Sequence, residues 1–148
     1  VLDGGAMSGL VAPCSSSQLF EKDCRELSVK EKRETIFVAQ LFTDGEVQAT
    51  QLATFVPNKH LNLVNPQLKT YLREGDGEVV HIQVEARDLA RFVELSLEDA
   101  DVVFSDNYFD VLPGELVHVE CTKPEGWTLD DIGKSLTVFS LYDSFAKG

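Results

Sequence analysis

Apolar residues recur at every second position through most of this chain. The clearest run is 80–86, in which Val80, Ile82, Val84 and Ala86 alternate with polar residues. Successive side chains of a β-strand point to opposite faces of the sheet, so this spacing predicts strands with one buried face. Turn signals separate such runs about every eight to twelve residues, and this pattern predicts an all-β, immunoglobulin-like antiparallel β-sandwich.

Several runs have this strand character, and one short segment has helical signals. Asp44 and Gly45 form the central pair of a two-residue hairpin turn between the first two runs. Thr128 and Asp131 have the spacing of a helix capping box, and Gly133 suits a C-terminal stop, which predicts a single turn of helix. We expect strands at 35–42, 47–56, 68–72, 80–86, 93–97, 102–104, 108–112, 117–121 and 135–142.

The strands are unevenly divided along the chain. Six or seven of them follow residue 60, enough for one complete sandwich, whereas the earlier residues supply only two or three. We therefore predict a boundary near 57–60. Residues 1–57 would be the C-terminal strands of a partial, preceding immunoglobulin-like domain, and residues 58–148 would form a complete C-terminal one.

An incomplete first domain has a consequence for association. Strands 36–42 and 48–56 would have unpaired edges, which predicts either a homodimer that pairs those edges or a strand borrowed from the complete domain. The chain also begins without methionine and without the basic and apolar regions of a signal peptide. We therefore expect it to be a piece of a longer protein.

The charge of the chain argues against two classes of partner. It has 25 Asp and Glu residues against 13 Lys and Arg, which gives a net charge of −12. Nucleic acids and anionic membranes are bound through clusters of cations, so neither is expected as a partner. No apolar run approaches the roughly 18 residues of a membrane-spanning helix.

No set of residues has the spacing of a catalytic or metal site. His60, His81 and His118 are isolated, and neighbouring carboxylates such as Asp130 and Asp131 fall in turns or at a helix start, where solvated or capping roles are usual. The glycines lack the strand–loop–helix context of a phosphate-binding loop. We therefore predict no catalytic, cofactor-binding or metal-binding residues, and no cofactor.

The three cysteines, Cys14, Cys24 and Cys121, form no Cys-x-x-Cys pair, so a zinc site is not expected. An odd number leaves at least one free thiol, and burial is the default state of such a residue. A disulfide between two of the three stays open, and the cysteines therefore constrain the cellular compartment only weakly.

The aromatic residues raise the alternative of a carbohydrate-binding module. Aromatic rings stack on the apolar faces of pyranose sugars, and such a module would present an aromatic platform, including Trp127, to solvent. Here the rings alternate in and out of predicted strands, which favours packing in the core or at a domain interface. The candidate rings are those of Trp127, Tyr108, Phe109, Tyr142 and Phe145.

One run between two predicted strands combines carboxylates, an amide and aromatic rings. Asp106 and Asn107 are residues that bond to their own backbone in Asx-turns and tolerate left-handed conformations. Pro113 and Gly114 fit the central positions of a type II turn. The run therefore has a structural explanation as a corner between strands. The residues expected to enter the core beside this turn are Leu112 and Val117.

The same run carries a family likeness. The sequence FSDNYFDVLPGE at 104–115 resembles the FSDN-aromatic…LxPGE signature in the C-terminal immunoglobulin-like domain of β-mannosidases, which are family 2 glycoside hydrolases. The exo-β-glucosaminidases carry a similar motif. The resemblance to this domain extends to 55–61, 90–97 and 136–145. Residues 10–56 resemble the last strands of the immunoglobulin-like domain that precedes it.

The resemblance implies a modular parent enzyme. Such a parent has a jelly roll, immunoglobulin-like domains and a (β/α)₈ barrel, in which two glutamates hydrolyse terminal β-D-mannose with retention of configuration. No position here matches the motifs of those glutamates, so the chain is expected to be a non-catalytic accessory domain. Its expected partners are the barrel and the preceding immunoglobulin-like domain, and the parent is expected to be extracytoplasmic (periplasmic, secreted or lysosomal).

Overall fold

The computed structural model describes residues 3–146, and the chain divides between Leu61 and Asn62 into two compact units. The first unit contains helix α1 (Val29–Glu34), strands β1 (Ile36–Thr43) and β2 (Glu46–Thr54), and a 3-10 turn. The interpretation of this unit as the end of a preceding immunoglobulin-like domain stays a prediction.

Strands β1 and β2 form a two-stranded antiparallel sheet. Asp44 and Gly45 have φ angles of 54° and 87°, the two positive angles of a type I′ hairpin turn, so the predicted Asp-Gly hairpin is confirmed. Among residues 3–146 these strands pair with no third strand, and the side chains of Phe37, Leu41 and Phe42 are exposed. The Phe37 ring stacks on the Phe20 ring, with the centroids 6.3 Å apart, so the apolar face of the sheet is only partly covered. A two-stranded hairpin is marginal in water without further packing.

Helix α1 was missed because the sequence reasoning accepted only one helix. The Ser28 N–H donates to the Glu31 carboxylate at 2.8 Å, and the Glu31 N–H donates to Ser28 Oγ at 3.3 Å. The Ser28 hydroxyl group also donates to the Glu31 carboxylate at 2.6 Å, and this bond, followed by the bond from the Ser28 N–H, lowers the pKa of Glu31 because both favour its charged form. The Ser-x-x-Glu spacing is the same capping-box signal that predicted the later helix, so the sequence did contain it.

The second unit consists of two three-stranded antiparallel sheets, with strand orders β3–β4–β7 and β6–β5–β8. This arrangement confirms the predicted all-β, immunoglobulin-like class. Its strands are β3 (Lys69–Glu74), β4 (Val79–Glu85), β5 (Ala90–Leu97), β6 (Phe109–Val111), β7 (Leu116–Thr122) and β8 (Leu136–Phe139). Its helices are α2 (Leu129–Ser135) and α3 (Leu141–Ala146).

The core of the second unit lies between the inward faces of these strands. In β4, Val80, Ile82 and Val84 are fully buried, as the alternation of the sequence predicts. They form one cluster with inward residues of β5 and β7, and Ile132 of α2 also belongs to it. Burial of each such side chain contributes roughly 1.5–3 kcal/mol, so this cluster is the main source of stability of the unit.

Helix α2 is longer than the single turn that the sequence predicts. Its capping box is present, because the Thr128 N–H donates to Asp131 Oδ2 at 2.8 Å. The predicted stop at Gly133 is wrong, since Gly133 lies inside the helix. A Cβ at that position would lie 3.3 Å from the Leu72 side chain, so the glycine permits a close approach of α2 to β3.

Two predicted strands are also shorter than expected. The run 135–142 forms a strand only as far as Phe139, because the Ser140 N–H and Oγ donate to Asp143 Oδ2 at 2.8 and 2.7 Å and start helix α3. The run 102–104 is reduced to a single bridge between Phe104 and Cys121. At Ser140, the hydrogen bonds that cap helix α3 override the preference of the following residues for a strand.

Candidate functional site

The segment 104–115, which we name the corner, connects the two sheets of the second unit. The Ser105 N–H donates to the Glu120 carbonyl at 2.7 Å, and Ser105 Oγ accepts from the Glu120 N–H at 2.9 Å. These bonds attach the corner to β7. Asn107 and Asp110 bond to β5 instead, so the corner joins one sheet to the other.

The side chain of Asn107 pairs with the backbone of β5. The Leu95 N–H donates to Asn107 Oδ1 at 2.8 Å, and Asn107 Nδ2 donates to the Leu95 carbonyl at 3.0 Å. A side-chain amide carries both an N–H donor and a carbonyl acceptor, as a peptide group does, so Asn107 replaces a strand residue where β6 does not extend.

Asp110, further along the corner, bonds to the first residues of β5. Its carboxylate accepts from Arg91 Nε at 3.2 Å and from Arg91 Nη2 at 3.1 Å, in a bidentate pair. The side chains of Arg91 and Asp110 are only 9% and 18% exposed. Asp110 Oδ1 also accepts from the Phe92 N–H at 3.1 Å, at the point where the β5–β6 register shifts. The carboxylate therefore fixes both a buried cation and a β-bulge.

Two aromatic residues beside these bonds have left-handed backbones. Phe92 has a φ of 49° and Tyr108 a φ of 61°. For a residue with a side chain this region costs roughly 1–2 kcal/mol. The side chains of Asp110 and Asn107 accept from the backbone N–H groups of Phe92 and Tyr108, at 3.1 and 3.2 Å, and thereby stabilise the strained conformations.

We expect glycine to be tolerated better than alanine at position 108. Glycine adopts a positive φ without steric cost, so Tyr108→Gly should be about 1 kcal/mol more stable than Tyr108→Ala. Tyr71, an exposed tyrosine in the regular strand β3, is the matched control. There the order should reverse, with Tyr71→Ala more stable than Tyr71→Gly by roughly 0.5–1 kcal/mol. Urea denaturation of the four variants measures both differences, and the same order at both positions would contradict the strain.

The Pro-Gly turn of the corner has the predicted form. The Glu115 N–H donates to the Leu112 carbonyl at 3.0 Å, and Gly114 has a φ of 77°, as a type II turn requires. Val117 packs against the core as expected. Leu112 is only half-buried, and the fully buried position is Val111, because residue 111 is the one that points inward from β6.

The aromatic residues are divided between the core and the surface. Trp127 and Phe109 are half-buried against the core, which confirms the favoured interpretation for both. Tyr108 and Phe145 are exposed, so a core position is wrong for these two rings. Tyr142 is half-buried. The sequence reasoning also missed Phe92, whose exposed and left-handed position carries no Gly or Asn signal.

The hydroxyl group of Tyr108 donates to a carboxylate on the same side of β5. The distance from Tyr108 Oη to Glu94 Oε1 is 3.2 Å. This bond and the negative charge of Glu94 raise the pKa of Tyr108, because both disfavour the phenolate. Tyr71 Oη donates to Glu85 at 3.0 Å, and this bond raises the pKa of Tyr71 in the same way.

Comparison with known proteins places this architecture in a family. The family model of the mannosidase Ig-fold domain matches residues 63–144, more than half of the chain. The chain belongs to the mannosidase Ig-fold domain family. The matched range includes both sheets and the whole corner.

A solved structure agrees with this assignment at the level of the fold. This chain is similar to the crystal structure of β-D-mannosidase from Dictyoglomus thermophilum, with a TM-score of 0.67 and 21% identity. The match covers 75% of this chain and 13% of that one, so the chain spans about an eighth of the length of that mannosidase. The comparison with curated protein sequences gives no match.

The remaining residues considered from the sequence are dispersed in the mannosidase Ig-fold domain and the unit before it. His60 and His118 are exposed, and His81 Nδ1 lies 3.0 Å from a Glu120 carboxylate oxygen. Cys14, Cys24 and Cys121 are free thiols, and only Cys121 is buried, so burial is wrong for the other two. Burial raises the pKa of the Cys121 thiol, which disfavours the reactive thiolate.

Metal-binding clusters and membrane-spanning helices are both absent from the described part of the chain. Residues 3–146 contain no group of three or more His, Cys, Asp or Glu side chains that could hold a metal ion. Within the same residues, no helix has the length and apolar character needed to cross a membrane. An open concavity of about 520 Å³ lies beside the corner, lined by residues 95–102 together with Phe104 and Asn107.

Proposed function

We propose that this chain is a non-catalytic, C-terminal accessory β-sandwich of a β-mannosidase, whose parent chain hydrolyses terminal β-D-mannose residues from oligosaccharides. The observation that carries the proposal is the family match over 63–144, which includes the corner. The Dictyoglomus thermophilum β-D-mannosidase supports it, since a chain of this fold forms a small part of that longer protein.

The bonds of the corner support a structural role for its polar residues. A retaining glycosidase needs two carboxyl groups about 5 Å apart, with one free to attack the sugar. Asp110 instead forms a buried pair with Arg91, and Ser105 and Asn107 bond to backbone groups. These residues therefore act in joining the two sheets, and we assign no catalytic, cofactor-binding or metal-binding residue in the chain.

We further propose that the partners of this chain are other domains of the parent, namely the catalytic barrel and the preceding immunoglobulin-like domain. Residues 1–57 would be the last strands of that preceding domain. The exposed apolar side chains of the two-stranded β1–β2 sheet support this, because an apolar sheet face is ordinarily covered. Completion of the sheet by a second copy of the chain, or by a borrowed strand, stays a prediction.

The assay that tests the proposal is hydrolysis of p-nitrophenyl β-D-mannoside by the purified chain. We expect release of p-nitrophenol no faster than in a heat-inactivated control. A rate above that control which falls on mutation of any carboxylate in residues 62–146 would contradict a non-catalytic role. The coding sequence upstream of Val1 should encode a barrel with two glutamates, and an unrelated upstream sequence would contradict the assignment to a β-mannosidase.

A further inference from the structure

Two aromatic rings and one carboxylate lie together on the outer face of the β6–β5–β8 sheet. In β5, Val93 and Leu95 are buried, whereas Phe92 is exposed and Glu94 is half-buried, so Phe92 and Glu94 lie on the outward side of the strand. The Tyr108 hydroxyl group donates to Glu94, which places this ring on the same face. Phe92 is 38% exposed and Tyr108 is 61% exposed.

Packing within the domain does not account for these positions. Neither ring belongs to the core cluster or packs against it, and both residues have strained, left-handed backbones. The Arg91 guanidinium lies 4.8 Å from the centroid of the Phe92 ring, and Arg91 is itself fixed by the buried pair with Asp110. A strained conformation that the surroundings hold in place, and that exposes apolar surface, indicates a use outside the core.

The chemistry of this face fits a neutral sugar. The C–H face of a pyranose packs on an exposed aromatic ring, and its hydroxyl groups donate to carboxylate and phenol oxygens. The acidic charge of the chain and the Glu94 carboxylate both disfavour an anionic ligand.

We propose that Phe92, Tyr108 and Glu94 form a binding surface for a neutral oligosaccharide, with the two rings as the platform. The narrower ligand class, β-linked manno-oligosaccharides, rests on the proposed function, whereas the platform itself rests on the exposed and strained rings.

The test is a titration of the purified chain with β-1,4-mannotriose and mannotetraose, followed by calorimetry and by NMR. We expect binding in the millimolar range or tighter. Tyr108→Ala and Phe92→Ala should each weaken it about tenfold, the loss of one stacked ring. Tyr108→Phe keeps the ring and should weaken binding less than Tyr108→Ala. The matched control is Tyr71→Ala, which removes another exposed tyrosine that donates to a carboxylate, in β3, and should leave binding unchanged.

The other outcomes of this titration either support or overturn the aromatic platform. Circular dichroism shows which variants fold, and if Tyr108→Ala does not, the Phe92→Ala and Tyr108→Phe variants carry the comparison. Absence of binding to any neutral oligosaccharide, or equal loss in Tyr71→Ala, would overturn the platform. Dissociation of a chain dimer by Tyr108→Ala, without sugar binding, would overturn it in favour of a second copy of the chain. Tyr108-dependent binding of cello-oligosaccharides alone would support the platform and contradict the β-mannosidase assignment.

Discussion

Replacement of Asp110 by alanine should lower the free energy of unfolding of the second unit by about 3–5 kcal/mol, because it removes one partner of a buried ion pair and leaves the charge of Arg91 poorly compensated. The guanidinium of Arg91, which is 9% exposed, would lose both bonds to the carboxylate, and the Phe92 N–H would lose its acceptor. Urea denaturation followed by the fluorescence of Trp127, the single tryptophan, measures this change.

A surface ion pair of the same unit provides the control for Asp110. Lys123 Nζ lies 3.6 Å from Glu74 and 3.7 Å from Glu78, and both carboxylates are largely exposed. Exposed pairs contribute at most about 1 kcal/mol, so Glu74→Ala should have little effect on unfolding. Asp110→Asn retains an oxygen acceptor for the Phe92 N–H but loses the charge. Its effect on the free energy of unfolding should lie between those of Asp110→Ala and Glu74→Ala. Equal effects of Asp110→Ala and Glu74→Ala would contradict a structural role for the buried pair.

Replacement of Asn107 by alanine should destabilise the same unit by about 2–4 kcal/mol. Both the N–H and the carbonyl of Leu95 would be left without their present partner in a partly buried strand, and each unsatisfied group costs roughly 1–3 kcal/mol. Asn107→Asp keeps the acceptor but sets a carboxylate oxygen against the Leu95 carbonyl. We therefore expect it to destabilise the unit as well, although it is nearly isosteric.

Asn65 is the matched control for this second prediction. Its side chain also accepts a backbone N–H, from Gln67 at 2.9 Å, but it is exposed and water can replace the bond. Asn65→Ala should cost less than about 1 kcal/mol in the same urea experiment. If Asn107→Ala and Asn65→Ala had the same small effect, the pairing of Asn107 with β5 would not contribute to stability.

The sequence identifies the corner, but it does not reveal which residues hold the corner in the fold. The sequence alone shows that 104–115 is distinctive and that Pro113 and Gly114 form a turn. The partners of Ser105, Asn107 and Asp110 lie 12 to 19 residues away in the chain. Such pairings depend on which strands are neighbours in the folded unit, and no local pattern encodes them.

The candidate sugar-binding surface was less predictable than the fold. The sequence reasoning singled out Tyr108 but favoured packing in the core or at a domain interface for it, because alternation in a strand assigns alternate residues to opposite faces. The left-handed backbones of Phe92 and Tyr108 interrupt that alternation. Both depend on acceptors supplied by other residues, so the exposure of the two rings appears only when the tertiary bonds are known.

By itself, the sequence determined the all-β class, the Asp-Gly hairpin, the buried alternation of β4 and the resemblance to mannosidases, because each depends on short-range periodicity, on turn chemistry or on a contiguous motif. The tertiary structure decided where strand 135–142 ends, how Gly133 fits inside α2, and which aromatic rings reach the surface. Those outcomes depend on close approach and hydrogen bonding between segments distant in the chain, and these contacts exist only after the sheets have formed.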